Sequence, residues 1–167
     1  LVGHSSGCAI AIEAATRVER LAGLVLWEAP IGQFTGGAQR WWATVDTAIA
    51  DGRLEDAVAA YMVDMPPEWI EGLKQSPAYP DLIKSWVPDG TALANVESAG
   101  LETALKDISV PVLAVVGSET FPGMTETADR IAAAAPNGAS ETVTGAWHSW
   151  DAEAMAARLV DFLQRVS

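Results

Sequence analysis

Five residues near the start, Gly3-His4-Ser5-Ser6-Gly7, read G-x-S-x-G. They stand between an apolar pair, Leu1-Val2, and a stretch with helical character running from Ser6 to about Arg20. That order of strand end, sharp turn and helix start restricts the fold severely. The turn forces its serine into a strained backbone conformation, and the flanking glycines let it close without side-chain collisions. Ala9, Ile10, Ile12, Ala14 and Ala15 are good helix or core residues, and Glu13 and Arg17 are spaced as an i,i+4 pair. "GLVLWEAP", residues 23–30, is a short apolar run closed by proline, the signature of a strand buried on both faces. Two strand–helix units this close predict an α/β fold.

Residues 31–107 carry no convincing strand. "AQRWWATVDTAIADG", "RLEDAVAAYMVDM", "PEWIEGLKQ", "PDLIKSWV" and "TALANVESA" read as successive helices punctuated by Gly52, Pro66-Pro67 and further prolines. The strand–helix pattern then returns. "VPVLAVVG" is a buried strand, "GMTETADRIAAAAP" a helix followed by an Asn137-Gly138 turn, and "SETVTG" a short strand. "DAEAMAARLVDFLQRV" is a closing amphipathic helix with Met155, Leu159, Phe162 and Leu163 on one face. The expected architecture is an α/β core, residues 1–30 and 108–167, with a mostly parallel sheet of about four strands flanked by helices. Residues 31–107 form a helical cap inserted into it.

Composition narrows the function. The formal charge is −12 and no Lys/Arg cluster appears, which speaks against nucleic acid and against an anionic membrane surface. No apolar run reaches membrane-spanning length, and a cytoplasmic location is the expectation. A single cysteine, Cys8, leaves no disulfide framework and reads as a small buried filler. With only two histidines, His4 and His148, no metal site is indicated, and no organic cofactor either.

A serine hydroxyl becomes a useful nucleophile only when a base takes its proton. At Ser5 the helix that follows would aim its N-terminus at the reaction centre, and the N–H of Ser6 would face a developing oxyanion. His4 adjoins the serine but would point away from it across the turn, as a scaffold residue at the edge of a pocket. His148 follows a short strand and Gly145, in Gly145-Ala146-Trp147-His148, and precedes the last helix.

On these motifs the sequence resembles the C-terminal portion of the α/β-hydrolase fold family, and within it capped serine hydrolases of actinobacterial type. Their elbow reads GHSSG and their next strand ends in Tyr-Glu-Pro; here that site is Trp27-Glu28-Ala29-Pro30. The resemblance implies Ser5 as nucleophile, His148 as general base and residues 31–107 as the cap. It also implies an acid that orients the imidazole. The family usually places an Asp after the strand that here is Val110–Gly117, where this chain has Thr120. Glu28 and Glu119 are the two candidates to replace it. Trp41, Trp42 and Trp147 are the expected pocket walls, suited to a small apolar substrate.

The chain starts with Leu1, inside what reads as a strand. The resemblance implies upstream strands, and an upstream loop carrying a second oxyanion N–H. The expectation is therefore a C-terminal portion, feeble or inactive alone, whose exposed Leu1-Val2 edge invites a homodimer. Three functions fit: hydrolysis of an apolar ester, lactone or related carbonyl compound through an acyl-enzyme; carbon–carbon bond hydrolysis or perhydrolysis on the same fold; or non-catalytic binding of a small ligand.

Overall fold

A computed structural model describes residues 1–63 and 65–166. Strands β1 (Val2–His4), β2 (Leu24–Trp27), β3 (Val112–Glu119) and β4 (Gly138–Ala146) lie side by side in chain order, each parallel to the next. A short fifth strand, β5 (Ser149–Trp150), turns back antiparallel on Gly145 and Ala146. It is one strand more than the sequence suggested. It forms because the chain reverses at Trp147 and His148, both at positive φ. At the opposite end of the sheet β1 pairs, among the described residues, with β2, and Leu1 and Val2 are exposed.

Alternation along the strands sorts the core into two layers. Leu24 and Leu26 of β2, with Val112, Ala114 and Val116 of β3, pack on one face against α1 (Gly7–Ala15), α6 (Val87–Ala99), α7 (Leu101–Leu105) and α8 (Met124–Ala134). Val25, Trp27, Leu113 and Val115 point to the other face and meet Met155 and Phe162 of α9 (Ala152–Val166). On α9 the buried stripe runs Met155, Leu159, Phe162 and Val166, and Leu163, expected on that face, is exposed. Helix α1 stops at Ala15, short of the expected Arg20, with Thr16 as its C-cap. Arg17 thus lies outside the helix, and Glu13 accepts a hydrogen bond from Asn95 instead of facing it.

Between β2 and β3 the chain is helical throughout its regular structure. Helices α2 (Ala38–Ala50), α3 (Leu54–Tyr61), α4 (Pro67–Lys74) and α5 (Tyr79–Lys84) surround a second core that includes Trp42, Val45, Val58 and Ile83. Helix α6 joins the two cores: Leu93 and Val96 pack on the sheet side, Ala94 on the other. The carboxylate of Glu97, also on α6, accepts the N–H of Gly32 at 2.8 Å and that of Ala38 at 2.7 Å. It therefore closes the loop that leads from the sheet into α2, and that loop carries Gln33 and Phe34. Gln33 is tied at its other end, donating to the Gly123 carbonyl and the Thr127 hydroxyl.

Removing the carboxylate leaves two backbone donors without their partner. Glu97→Ala is expected to lower stability by about 1–3 kcal/mol. Urea denaturation with far-UV circular dichroism measures it, and an unchanged midpoint would show that the loop is held by other contacts.

Candidate active site

The carboxyl ends of β1, β2 and β3 converge with the turn after β4, the place where parallel sheets expose backbone to a ligand. Each strand end is bonded to its neighbour just past the regular ladder. Ser5 N–H donates to the Trp27 carbonyl at 2.9 Å, Glu28 N–H to Val115 at 2.8 Å, and Trp147 N–H to Glu119 at 2.9 Å. At these same ends the backbone is strained. The non-glycine residues at positive φ among the described residues are Ser5 (54°), Glu28 (45°), Trp147 (48°) and His148 (77°). Such conformations cost a side chain with a Cβ about 1–3 kcal/mol each and persist only where surrounding structure over-determines them.

At the elbow the two glycines have different reasons to be there. A Cβ on Gly3 would lie 2.6 Å from the Cα of Cys8 and 2.9 Å from the carbonyl oxygen of Gly7, both backbone atoms of the incoming helix. A Cβ on Gly7 would meet no atom within 4 Å. Close approach therefore dictates only the first. Cys8 is fully buried, its thiol donates to the Trp27 carbonyl at 3.3 Å, and burial pushes its pKa well up.

The imidazole Nδ1 of His148 lies 2.7 Å from Oε2 of Glu28. Glu28 is 1 % exposed, and its second oxygen accepts the N–H of Gly117 at 3.0 Å. Burial would raise the carboxyl pKa. The hydrogen bond from His148, attraction to the nearby Thr120 hydroxyl, the Gly117 N–H and the charge of His148 outweigh that and hold it below the usual glutamate value. Since an ionised carboxylate only accepts, Nδ1 of His148 carries the proton. Glu119, the other acid considered, is exposed; its part in the site is the carbonyl that receives Trp147 N–H.

Ser5, Ser6 and His148 face a cavity of about 290 Å³ whose walls include Phe34, Trp41, Tyr61 and Phe121. Trp41 is stacked on Phe34, with ring centroids 4.1 Å apart. Trp42 lies off this cavity, buried in the helical core, and Trp147 is 56 % exposed, its ring 5.9 Å from that of Phe121. His4 is not on the cavity wall either; its ring rests against His148 and Trp150.

Sequence reasoning did not single out Gln33, Phe34, Tyr61 or Phe121. Phe121 adjoins Thr120 at the end of β3, which was the available signal; Gln33 and Phe34 in the loop before α2 and Tyr61 at the end of α3 reach the cavity only through tertiary packing. Burial, opposed by a Ser6 hydrogen bond and reinforced by the charge of Asp89, raises the Tyr61 pKa, so this wall residue presents a protonated phenol. Among the described residues no group of three or more His, Cys, Asp or Glu side chains could hold a metal ion, and no helix is long and apolar enough to cross a membrane.

The sequence profile described as the alpha/beta hydrolase family matches residues 1–162. Among solved structures, an alpha/beta hydrolase from Sphaerobacter thermophilus is similar at 24 % identity and TM-score 0.75, over 96 % of this chain and 65 % of that one. An esterase from Thermogutta terrifontis is similar at 22 % identity and TM-score 0.59, over 99 % and 64 %. An enol-lactonase from Burkholderia xenovorans is similar at 17 % identity and TM-score 0.57, over 98 % and 64 %. The chain thus spans just under two thirds of the length of these proteins. No curated protein matches it.

Two outcomes are expected from these contacts. Gly3→Ala should open the elbow and lower the thermal midpoint, while Gly7→Ala should leave it nearly unchanged; equal effects in differential scanning calorimetry would contradict the steric assignment. Glu28 has a folded pKa below its ordinary 4.5, so its ionised form adds stability above that value. As the pH falls below 4.5 the unfolded chain takes up the proton first, and the stability is lost as the pH passes through the folded value. Thermal midpoints measured from neutral pH downward should therefore fall more steeply in this range for the wild type than for Glu28→Gln.

Proposed function

The chain belongs to the alpha/beta hydrolase family, and on that premise we propose that it carries the nucleophile, base and acid of a serine hydrolase acting on a small apolar ester or lactone. The observation that carries the reading is the Glu28–His148 hydrogen bond at 2.7 Å, beside a cavity that His148 shares with the strained Ser5.

In this reading the Ser5 hydroxyl attacks the substrate carbonyl carbon while Nε2 of His148 accepts its proton. Glu28 holds the imidazole in the Nδ1–H tautomer and stabilises the imidazolium that forms. The Ser6 N–H, at the start of α1, donates to the oxyanion of the tetrahedral intermediate. Collapse returns the His148 proton to the leaving alcohol and leaves the acyl group on Ser5. A water molecule, deprotonated by His148, then attacks the acyl carbon, and the acid leaves as Ser5 regains its proton. Phe34, Trp41, Tyr61 and Phe121 favour an apolar acyl or alkyl group, and a volume of about 290 Å³ favours a small one. The similar proteins include an esterase and an enol-lactonase, compatible with carbonyl chemistry of this class.

The nucleophile and the acid are testable on this chain. A fluorophosphonate probe is expected to label Ser5, with the site mapped by mass spectrometry and Ser5→Ala unlabelled. Glu28→Gln should slow labelling by about 10³-fold, and Glu119→Gln should leave it unchanged. Slowing by Glu119→Gln alone would move the acid to that residue. No labelling of the wild type, nor of a longer protein containing it, would favour a ligand-binding protein.

A further inference from the structure

His148 holds a backbone conformation that few residues adopt, with φ at 77° directly after Trp147 at 48°. A reason is visible at its carbonyl. The His148 oxygen accepts two side-chain hydrogen bonds, from Nε2 of His4 at 2.9 Å and from Nε1 of Trp27 at 3.2 Å. A carbonyl only accepts, so the Nε2 of His4 must carry the hydrogen. The two donors come from the ends of neighbouring strands, β1 and β2, paired at His4 and Trp27 themselves. Trp150 wedges between their rings, edge-on to His4 at 5.1 Å and to Trp27 at 5.6 Å. Gly145 permits the approach, since a Cβ there would lie 2.7 Å from the Trp27 ring.

We propose that His4 is a positioning residue: with Trp27 it clamps the main-chain carbonyl of His148 and so fixes the direction in which the imidazole points. The proposal rests on the roles given to Ser5, His148 and Glu28 above. His4 does not line the cavity, so it acts through His148 and not on the substrate. Its ring lies 4.8 Å from that of His148, tilted by 57°, so it limits the space into which that ring could swing. Burial, with the charge of His148, lowers the His4 pKa against the opposing pull of the His148 carbonyl and of Glu28. The clamp leaves both oxygens of Glu28 free for His148 Nδ1 and Gly117, so the imidazole is held at its backbone and at its ring by separate groups. Without the clamp the loop could relax toward negative φ, which would turn the ring away from Glu28.

Two variants separate positioning from bulk. His4→Phe keeps a ring and removes the donor; His4→Gln keeps a donor able to reach a carbonyl. Thermal midpoints equal to that of the wild type show that each variant folds. The first readout needs no turnover: the proton NMR resonance of His148 Nδ1–H shared with Glu28, identified by its loss in Glu28→Gln. It is expected to broaden or move upfield in His4→Phe and to persist in His4→Gln. The second is the rate of fluorophosphonate labelling at saturating probe, expected to fall about tenfold in His4→Phe and to recover in His4→Gln at equal thermal midpoints. An unchanged resonance and rate in His4→Phe overturn the proposal, as does a His4→Gln variant no better than His4→Phe. If neither the wild type nor a longer protein containing it is labelled, the hydrolase reading fails, and the NMR comparison still decides whether His4 holds the loop.

Discussion

The site depends on one buried carboxylate being fully satisfied. A glutamate at 1 % exposure would ordinarily lose its charge or destabilise the fold by several kcal/mol. Glu28 keeps its charge because one oxygen meets His148 and the other meets the N–H of Gly117. Each of those donors comes from a different strand end. The carboxylate therefore requires β2 and β3 to end side by side, and the turn after β4 to fold back over them. Space matters as well: a Cβ on Gly117 would stand 3.2 Å from Oε1 of Glu28. The pairing of Trp27 with Val115, one residue before Glu28, fixes where the carboxylate emerges. A slip of one residue would send it to the opposite face of the sheet.

That dependence explains where the strain lies. Ser5, Glu28, Trp147 and His148 share the unfavourable sign of φ, and all four lie just past the end of a strand of the sheet. At Glu28 the strand that ends, β2, is buried on both faces and has little freedom to relax. The ladder continues one bond past each end through Ser5, Glu28 and Trp147, so the strained residues are held by the sheet itself. Burial of Leu24, Val25, Leu26 and Trp27, each at 2 % exposure or less, supplies the favourable free energy against which the local cost is small.

How much of this could be read from residues alone follows from the range of each interaction. Ser5 and its turn are local: the glycines, the apolar pair before and the helix after all lie within a short stretch. The strands 24–27 and 112–119 announce themselves because apolar runs bounded by glycine and proline have few other fates. The choice between Glu28 and Glu119 was not local. Both stand at the ends of strands, and only the order of strands in the sheet and the path of the turn after β4 decide which carboxylate meets His148. The cavity walls were harder still. Trp41 and Trp42 are adjacent on α2, so they point to different sides of it, and nothing in their immediate sequence says that Trp41 faces the cavity while Trp42 enters the helical core. Likewise, the length of β5 depends on a reversal at two non-glycine residues that propensity would not favour.

The threonine at position 120 fits the same account. The resemblance leads one to expect an aspartate there, and its replacement suggests a damaged site. In the structure the Thr120 hydroxyl is buried, close enough to Glu28 to lower its pKa, while making no hydrogen bond within ordinary limits. Two carboxylates on neighbouring strand ends would compete for one imidazole and repel each other in a space that excludes water. A single glutamate reaching across from β2, with a neutral hydroxyl where the second acid would stand, avoids that repulsion and still orients the ring. The loop that carries His148 contacts both strand ends, through Trp147 to Glu119 and through the imidazole to Glu28. Thr120 then belongs with Glu28 as one arrangement around the His148 ring.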